Sequence, residues 1–326
     1  MTLPARLYAM ENQDSRTIPA DQAGVTLAAL VREILPGTSW SKARELCRSG
    51  RVWVDGTAAT DSARRVSAGE RVELRLAGPS RRESVTDLIV HLDTDIVVVR
   101  KPAGLLTVPF ERDDRDTLLA FTRVAVRRLE AQRGRPGRLT LRAVQRLDKE
   151  TSGLVVFARS VPAQRHLQRQ LAARTVTRRY LAIVHGAAED AVHETLLVPD
   201  RGDGLRGSWG VFRPARGEAP VDAREAVTRV RVLERLPKAT LVACELATGR
   251  QHQIRIHLAE AGHPLVGETV YIRDYRGPQL PASRPMLHAE VLGFLHPRNE
   301  RPVRFEEPPP ADFTAALERL RHWGGS

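Results

Sequence analysis

The stretch Arg146-Leu147-Asp148-Lys149-Glu150-Thr151-Ser152-Gly153-Leu154-Val155 sets one carboxylate, Asp148, between two cations and just ahead of a Thr-Ser-Gly turn. The apolar run from Leu154 to Ala158 follows at once and reads as a buried strand, which predicts a strand–turn–strand junction for Asp148. A carboxylate held there in basic surroundings can serve as a nucleophile or general base toward a polyanionic substrate. The competing use is local, because an Asp before Thr151 and Ser152 can simply cap the turn. No second carboxylate sits in a matching motif, so the acid–base pair of a glycoside hydrolase is disfavoured. Ser152 lacks a Gly-x-Ser-x-Gly elbow, and no phosphate-binding Gly-x-x-x-x-Gly-Lys loop occurs. His252 and His257 stand five apart, which does not place two imidazoles on one helix face, and nothing completes a zinc set around them. Lys101 can bind phosphate or merely precede a turn, and no metal or cofactor is expected.

The elements around these residues fall into two groups. Residues 1–23 are polar and unpatterned and are expected to form a loose arm. A compact unit is expected over 24–78. Leu27, Leu30, Val31 and Ile34 recur at helical spacing, and Ser41 is the expected N-cap of a second helix that turns Ala43, Leu46 and Cys47 inward. Arg44, Arg48 and Arg51 would share the opposite face of that helix. Val52-Trp53-Val54 with an Asp55-Gly56 turn, then Val72 to Leu76, read as strands. The run from Gly78 to Arg82 reads as a linker. From 85 to 326 strands interleave with few helices. Thr117–Leu129 and Ala163–Leu171 are predicted helices, Tyr180–Val184 a strand, 197–224 a long irregular loop, and Ile254–Leu258 a β-like or mixed segment. Regular βα alternation is missing, so the expected class is α+β with a mixed, mainly antiparallel sheet.

The chain has 326 residues and a net charge of +12. Residues 101–190 hold 18 Lys and Arg against 9 Asp and Glu, so +9 of the excess surrounds Asp148. With 47 Arg and 4 Lys, a coding bias toward Arg is evident, but it does not account for the local deficit of acids. Clustered positive charge favours a phosphate backbone as partner. No apolar run is long enough to span a membrane. Cys47 and Cys244 are the only cysteines, which supports neither a disulfide framework nor a Cys-rich metal site and fits a reduced, cytoplasmic setting.

Four ordered segments carry a resemblance. They are Asp95–Gly104 with its Lys101-Pro102-Ala103-Gly104 turn, the stretch around Asp148, Arg178–Gly186, and Thr248–His257 followed by Gly262–Glu268. An echo runs from Leu287-His288-Ala289 to His296-Pro297. Together they resemble the RluA-type RNA pseudouridine synthases, over most of residues 85–310. Residues 24–76 resemble the alpha-L RNA-binding module, on Ser41–Leu46 and Gly50–Gly56.

The resemblance implies an isomerase that modifies uridine in RNA, ribosomal more readily than transfer RNA, acting as a monomer without cofactor. Uridine must leave its stack, lose its nitrogen–carbon glycosidic bond, rotate and rejoin through carbon. Flipping it out costs on the order of a few kcal/mol. The resemblance gives Asp148 the role of nucleophile or base. A buried Asp needs a cation to stay ionised, and the resemblance makes Arg255 that ion-pair partner, with Arg250 as competitor. Tyr180 corresponds to a tyrosine packing on the flipped base, and Arg146 to an arginine entering the stack in its place. Arg44, Arg48 and Arg250 are candidate RNA contacts. One position departs from the pattern: Gln145 stands where the family usually has His, keeping a hydrogen-bonding side chain that cannot be protonated. The alternative this leaves is an RNA-binding protein that kept the fold and lost catalysis.

Overall fold

The computed structural model describes residues 14–48, 51–55, 57–59, 61–74, 85–111, 114, 116–134, 139–215 and 217–323. The chain divides into two compact units, Met1–Ser84 and Val85–Ser326.

In the first unit, α1 (Leu27–Ile34) and α2 (Trp40–Arg48) lie with a four-stranded antiparallel sheet. Its strands β1 (Asp14–Thr17), β2 (Val52–Val54), β3 (Thr57–Ala58) and β4 (Arg71–Leu74) run in the order β1-β4-β2-β3. Leu27, Leu30, Val31, Ala43, Leu46 and Cys47 close one core with Val52, Val54 and Val72, so the apolar spacing of both helices is realised. Three expectations are corrected. The segment 1–23 is not wholly an arm: Asp14–Thr17 pairs with β4, and Ile18 is 1% exposed in the core. Backbone pairing, not side-chain pattern, holds this short polar strand. Ser39, not Ser41, caps α2, its Oγ accepting from the Lys42 N–H at 3.2 Å, because the helix begins at Trp40. Arg51 follows the end of α2 and shares no helix face with Arg44. Arg44 is exposed, while the side chain of Arg48, residues 1–13, Leu76 and the linker at 78–82 lie outside the described residues.

The second unit is built on an eleven-stranded sheet. Its strands are β5 (Ile89–Leu92), β6 (Ile96–Lys101), β7 (Arg142–Ala143), β8 (Ser152–Ala158), β9 (Thr177–His185), β10 (Ala191–Val198), β11 (Gly207–Ser208), β12 (Arg224–Arg235), β13 (Ala239–Leu246), β14 (Leu287–Leu295) and β15 (Pro302–Glu306). The order is β11-β10-β12-β13-β9-β14-β8-β6-β5, with β15 on β14 and β7 on β8. Every pairing is antiparallel except β14 with β8, so the mixed, mainly antiparallel α+β class holds.

Four helices cover the sheet: α3 (Leu118–Gln132), α4 (Val161–Ala172), α5 (Gln253–Glu260) and α6 (Ala311–Arg321). Thr117 and Ser160 cap α3 and α4, each side-chain oxygen accepting from the N–H three residues on at 3.2 Å. The two-residue alternation along β8 sorts its side chains. Val155 and Phe157 enter the core with Leu118 and Val126 of α3 and Ile254 and Leu258 of α5. Leu154 and Val156 pack with Leu167 of α4. Tyr180, on β9, faces the α3 and α5 side.

The β-like reading of Ile254–Leu258 is corrected, since the segment is helical. Every residue from Gln253 to Leu258 is buried, so this helix has no polar stripe and its alternating apolar residues imitate a strand. The loop expectation for 197–224 holds for most of its length, interrupted by β11 and the end of β10. Cys47 and Cys244 lie in different units, both buried with their thiols pushed up by desolvation, to about 11 and about 12.

Two buried histidines make the second unit acid-sensitive. Desolvation pushes His257 and His288 down to about 4, so both are neutral in the folded protein at pH 7. Thr228 and Thr195 hydroxyls flank the His257 ring at 2.8 and 2.9 Å, while His288 bridges the Ser152 hydroxyl and the Glu307 carbonyl, both at 2.9 Å. The unfolded chain takes up these protons near the ordinary histidine pKa, about 6.5. Between that value and about 4 it binds more protons than the folded state, so stability is full above and drains away as pH falls. Each group contributes on the order of 3 kcal/mol across this window. Urea midpoints should drop steadily from pH 7 to pH 4, and a flat midpoint over that range would count against the assignment.

Candidate active site

Asp148 lies in the loop between β7 and β8 and lines a cavity of about 720 Å³. The loop is fastened from several directions. Lys101, 1% exposed at the end of β6, donates its ammonium to the carbonyls of Pro102, Lys149 and Thr151 at 3.0, 2.8 and 2.8 Å. So buried a cation cannot meet a phosphate, and of the two roles open to Lys101 the structure supports the fastening of the turn. Thr107 grips the preceding residue twice: its hydroxyl donates to the Leu147 carbonyl at 2.9 Å and accepts from the Leu147 N–H at 3.1 Å. Arg284 donates to the Glu150 carbonyl at 3.1 Å and the Ser152 hydroxyl at 3.3 Å, and pairs with Asp312 on α6 at 2.6 Å. At Gly153 (φ +115°) an added Cβ would fall 2.1 Å from the Ala289 carbonyl oxygen, so only glycine permits this close approach of β8 to β14.

These contacts leave the carboxylate itself free. Among the described residues it accepts no hydrogen bond; the turn is closed by the backbone, the Thr151 N–H donating to the Asp148 carbonyl at 3.1 Å. A side-chain cap is therefore not the use of Asp148. Its side chain is 28% exposed, so water shares in stabilising the charge and the premise of a buried Asp is corrected.

The expected ion pair is corrected as well. Arg255 gives two hydrogen bonds to Glu268, Nε to Oε2 at 2.8 Å and a terminal nitrogen to Oε1 at 2.6 Å. Arg250 turns its Nε to the Glu225 carbonyl at 3.0 Å. Neither guanidinium lies within 4.0 Å of the Asp148 carboxylate, and Arg255 acts on it through its charge at longer range. The reason is competition. Glu268 is fully buried, takes further hydrogen bonds from the N–H groups of Thr269, Val270 and Tyr271, and needs the guanidinium more. Burial alone would raise its carboxyl, yet the hydrogen bonds and charge of Arg255 hold it below the usual range.

Among the described residues, the basic group within 4.0 Å of the Asp148 carboxylate is the His252 imidazole, with Nε2 3.9 Å from Oδ1. His252 takes a left-handed backbone conformation (φ +58°), uncommon for a residue with a Cβ, just before α5. Its Nδ1 shares a 2.8 Å hydrogen bond with the Tyr271 hydroxyl, and the Arg255 guanidinium sits 5.3 Å over the Tyr271 ring. Burial lowers His252 despite the opposing charge of Asp148, so the imidazole is neutral near pH 7. Sequence spacing missed His252, Tyr271 and Glu268 as neighbours of the site.

Tyr180 lies in the same cavity, 8% exposed. Burial raises its phenol, Arg178 opposes and Asp148 adds, which keeps it protonated at neutral pH. Arg146 is exposed on the cavity rim and Gln145 half-buried in its lining; Arg174, Arg178 and Arg250 also line it. Among the described residues, six cationic side chains and a single carboxylate line this cavity, which disfavours the paired-acid geometry of a glycosidase. Asp148, Tyr180, Arg146, Arg250 and Arg255 converge on this cavity, whereas Arg44 and Arg48 belong to the other unit.

A mainly antiparallel sheet that sets one carboxylate in an arginine-lined cavity, on a chain with a second, smaller α/β unit, is an arrangement that suits an enzyme acting on a nucleic acid. Residues 95–260 match the family described as RNA pseudouridylate synthase, and residues 25–72 match the S4 domain, an RNA-binding module. The chain belongs to the RNA pseudouridylate synthase family and is a pseudouridine synthase. It is 35% identical to a ribosomal large subunit pseudouridine synthase D of Nitrosomonas europaea, covering 96% of this chain and 89% of that one. It is also 35% identical to an uncharacterized RNA pseudouridine synthase of Bacillus subtilis, over 87% and 91%. The solved structure of human RNA pseudouridylate synthase domain containing 4 shares the fold, at 24% identity and a TM-score of 0.57 over 73% of this chain and 94% of that one. No helix among the described residues is long and apolar enough to cross a membrane.

Proposed function

We propose that this chain converts uridine to pseudouridine in large-subunit ribosomal RNA, with Asp148 as its one catalytic carboxylate acting on a flipped nucleotide. The observation that carries this is the free Asp148 carboxylate, fixed by its backbone and ringed by cations that suit phosphates. The carboxylate engages the ribose, either at the anomeric carbon or through a ribose proton. The bond from C1′ to N1 breaks, the base turns, and C5 bonds to C1′. The C5 proton then leaves and N1 ends protonated, so no redox partner or group donor is needed. The neutral Tyr180 phenol packs against the base, and Arg146 fills the gap left in the stack. The chain's similarity to ribosomal large subunit pseudouridine synthases D favours ribosomal over transfer RNA as substrate.

Chemical mapping of pseudouridine in RNA from cells lacking this gene, rescued with the intact gene or with Asp148→Asn, tests the reading. A large-subunit site should vanish and return only with the intact gene. Loss of a transfer RNA site instead would reassign the substrate, and rescue by Asp148→Asn would remove Asp148 from the chemistry. The first unit is proposed to tether the RNA through Arg44, Arg48 and their neighbours. Deleting residues 1–84 should weaken RNA binding and flatten its salt dependence while activity on a short stem-loop persists. An unchanged salt slope would sink the tether.

A further inference from the structure

Three Phe or Trp side chains among the described residues stand well out in water: Trp40, Phe110 and Phe212, at 47%, 83% and 38% exposure. Arginine covers two of them. Arg32 lies 4.4 Å over the Trp40 ring, and Arg201 and Arg213 lie 4.5 and 5.9 Å from that of Phe212. Phe110 is the most exposed of the three, and no guanidinium or second ring covers it among the described residues.

Its position is not incidental. Phe110 lines the cavity that holds Asp148, as does the exposed Arg146. The described residues on either side of Phe110 are hydrogen-bonded. The N–H groups of Phe110 and Glu111 both donate to Asp114 Oδ2 at 2.8 Å. Leu106 bridges to Thr117, and the N–H groups of Leu118 and Leu119 donate to the Leu106 and Thr107 carbonyls at 2.8 and 3.1 Å. An apolar ring therefore stands open to solvent in the lining of a basic cavity, with its own backbone N–H hydrogen-bonded to Asp114.

We propose that Phe110 is a stacking platform for an unpaired base next to the uridine that enters the cavity. The proposal rests on the reading of this cavity as the RNA site. Extruding one nucleotide deprives its neighbours of a stacking partner, and an aromatic face restores one whatever the base, because every base has a π-face. Backbone hydrogen bonds at Phe110 and Glu111 lower the ordering cost of the contact. The surrounding cations mark the occupant as a nucleic acid strand and not an apolar peptide.

The test uses the full-length protein and an in-vitro transcript of large-subunit ribosomal RNA carrying tritium at uridine C5. Single-turnover tritium release is measured against enzyme concentration, with equilibrium RNA binding alongside, for wild type, Phe110→Ala, Phe110→Leu, Phe110→Trp and Val221→Ala. Phe110→Ala should raise the half-saturating concentration and Kd roughly 5- to 100-fold and leave the saturating rate unchanged. Leucine should behave like alanine, since it is apolar without a π-face, and tryptophan should restore wild-type affinity. Val221, 97% exposed and outside the cavity lining, is the control. Equal affinity of wild type and Phe110→Ala overturns the platform, as does leucine matching tryptophan, or a loss of saturating rate at constant affinity. If wild type releases no tritium, the synthase reading fails separately, and the binding measurement still decides the role of Phe110.

Discussion

Asp148→Asn is expected to lower the rate of tritium release from uridine-labelled RNA by about 10⁴-fold or more, the scale seen when a sole nucleophile or base is removed. The structure makes this substitution unusually clean. The carboxylate accepts no hydrogen bond among the described residues and is 28% exposed, so the amide replaces nothing that holds the loop together. Lys101, Thr107 and Arg284 fasten that loop through backbone carbonyls, N–H groups and hydroxyls, which the substitution does not touch. Thermal stability and RNA affinity should therefore stay at wild-type values while the chemical step disappears. A variant that keeps more than about a hundredth of the rate would place the chemistry elsewhere.

The second large effect is on stability. Glu268→Ala should destabilise the second unit by about 3–5 kcal/mol, because it strands a guanidinium that is 9% exposed and leaves three backbone N–H groups without their acceptor. For a unit of this size the melting temperature should fall by roughly 10 °C. Activity should fall too, since Arg255 would be free to swing toward Asp148 and leave its place over the Tyr271 ring. Replacing the whole pair, as Arg255→Met with Glu268→Leu, should recover the part of the stability lost with the stranded guanidinium, but not the part lost with the three N–H groups, and none of the activity. Calorimetry on the single and double variants checks this. Equal melting of wild type and Glu268→Ala would show that the pair is not what holds the base of the cavity.

Much of the site could be read from the chain, for reasons that differ residue by residue. The Asp148 turn announces itself because its cations, its turn residues and the following strand are contiguous, so one local pattern encodes the whole device. The apolar periodicities of α1 and of the strands around Tyr180 likewise depend only on neighbours. The partner of Arg255 was not legible, because the choice between Asp148 and Glu268 turns on which carboxylate is more deeply buried, a property of the packed molecule. His252 was hidden differently. Its place beside Asp148 requires a left-handed backbone that its residue type does not advertise, and its spacing from His257 bears only on metal binding. Helix α5 is not legible in the sequence because burial of every residue from Gln253 to Leu258 erases the stripe by which helices are recognised.

Arg284 ties the loop after Asp148 to a helix far along the chain, and this sets the order in which the enzyme can come into being. The contacts from Arg284 to Glu150 and Ser152 span 134 and 132 residues, and its anchor at Asp312 lies 28 residues further on. On a ribosome the loop that carries Asp148 is made after Lys101 and Thr107 but before Arg284 and Asp312, the last of the groups that fasten it. Such distant closures are the slow ones in folding. A nascent chain still short of Asp312 holds every described residue that lines the cavity but not the last clamp on its loop, so the loop is fully fastened only once α6 has been made.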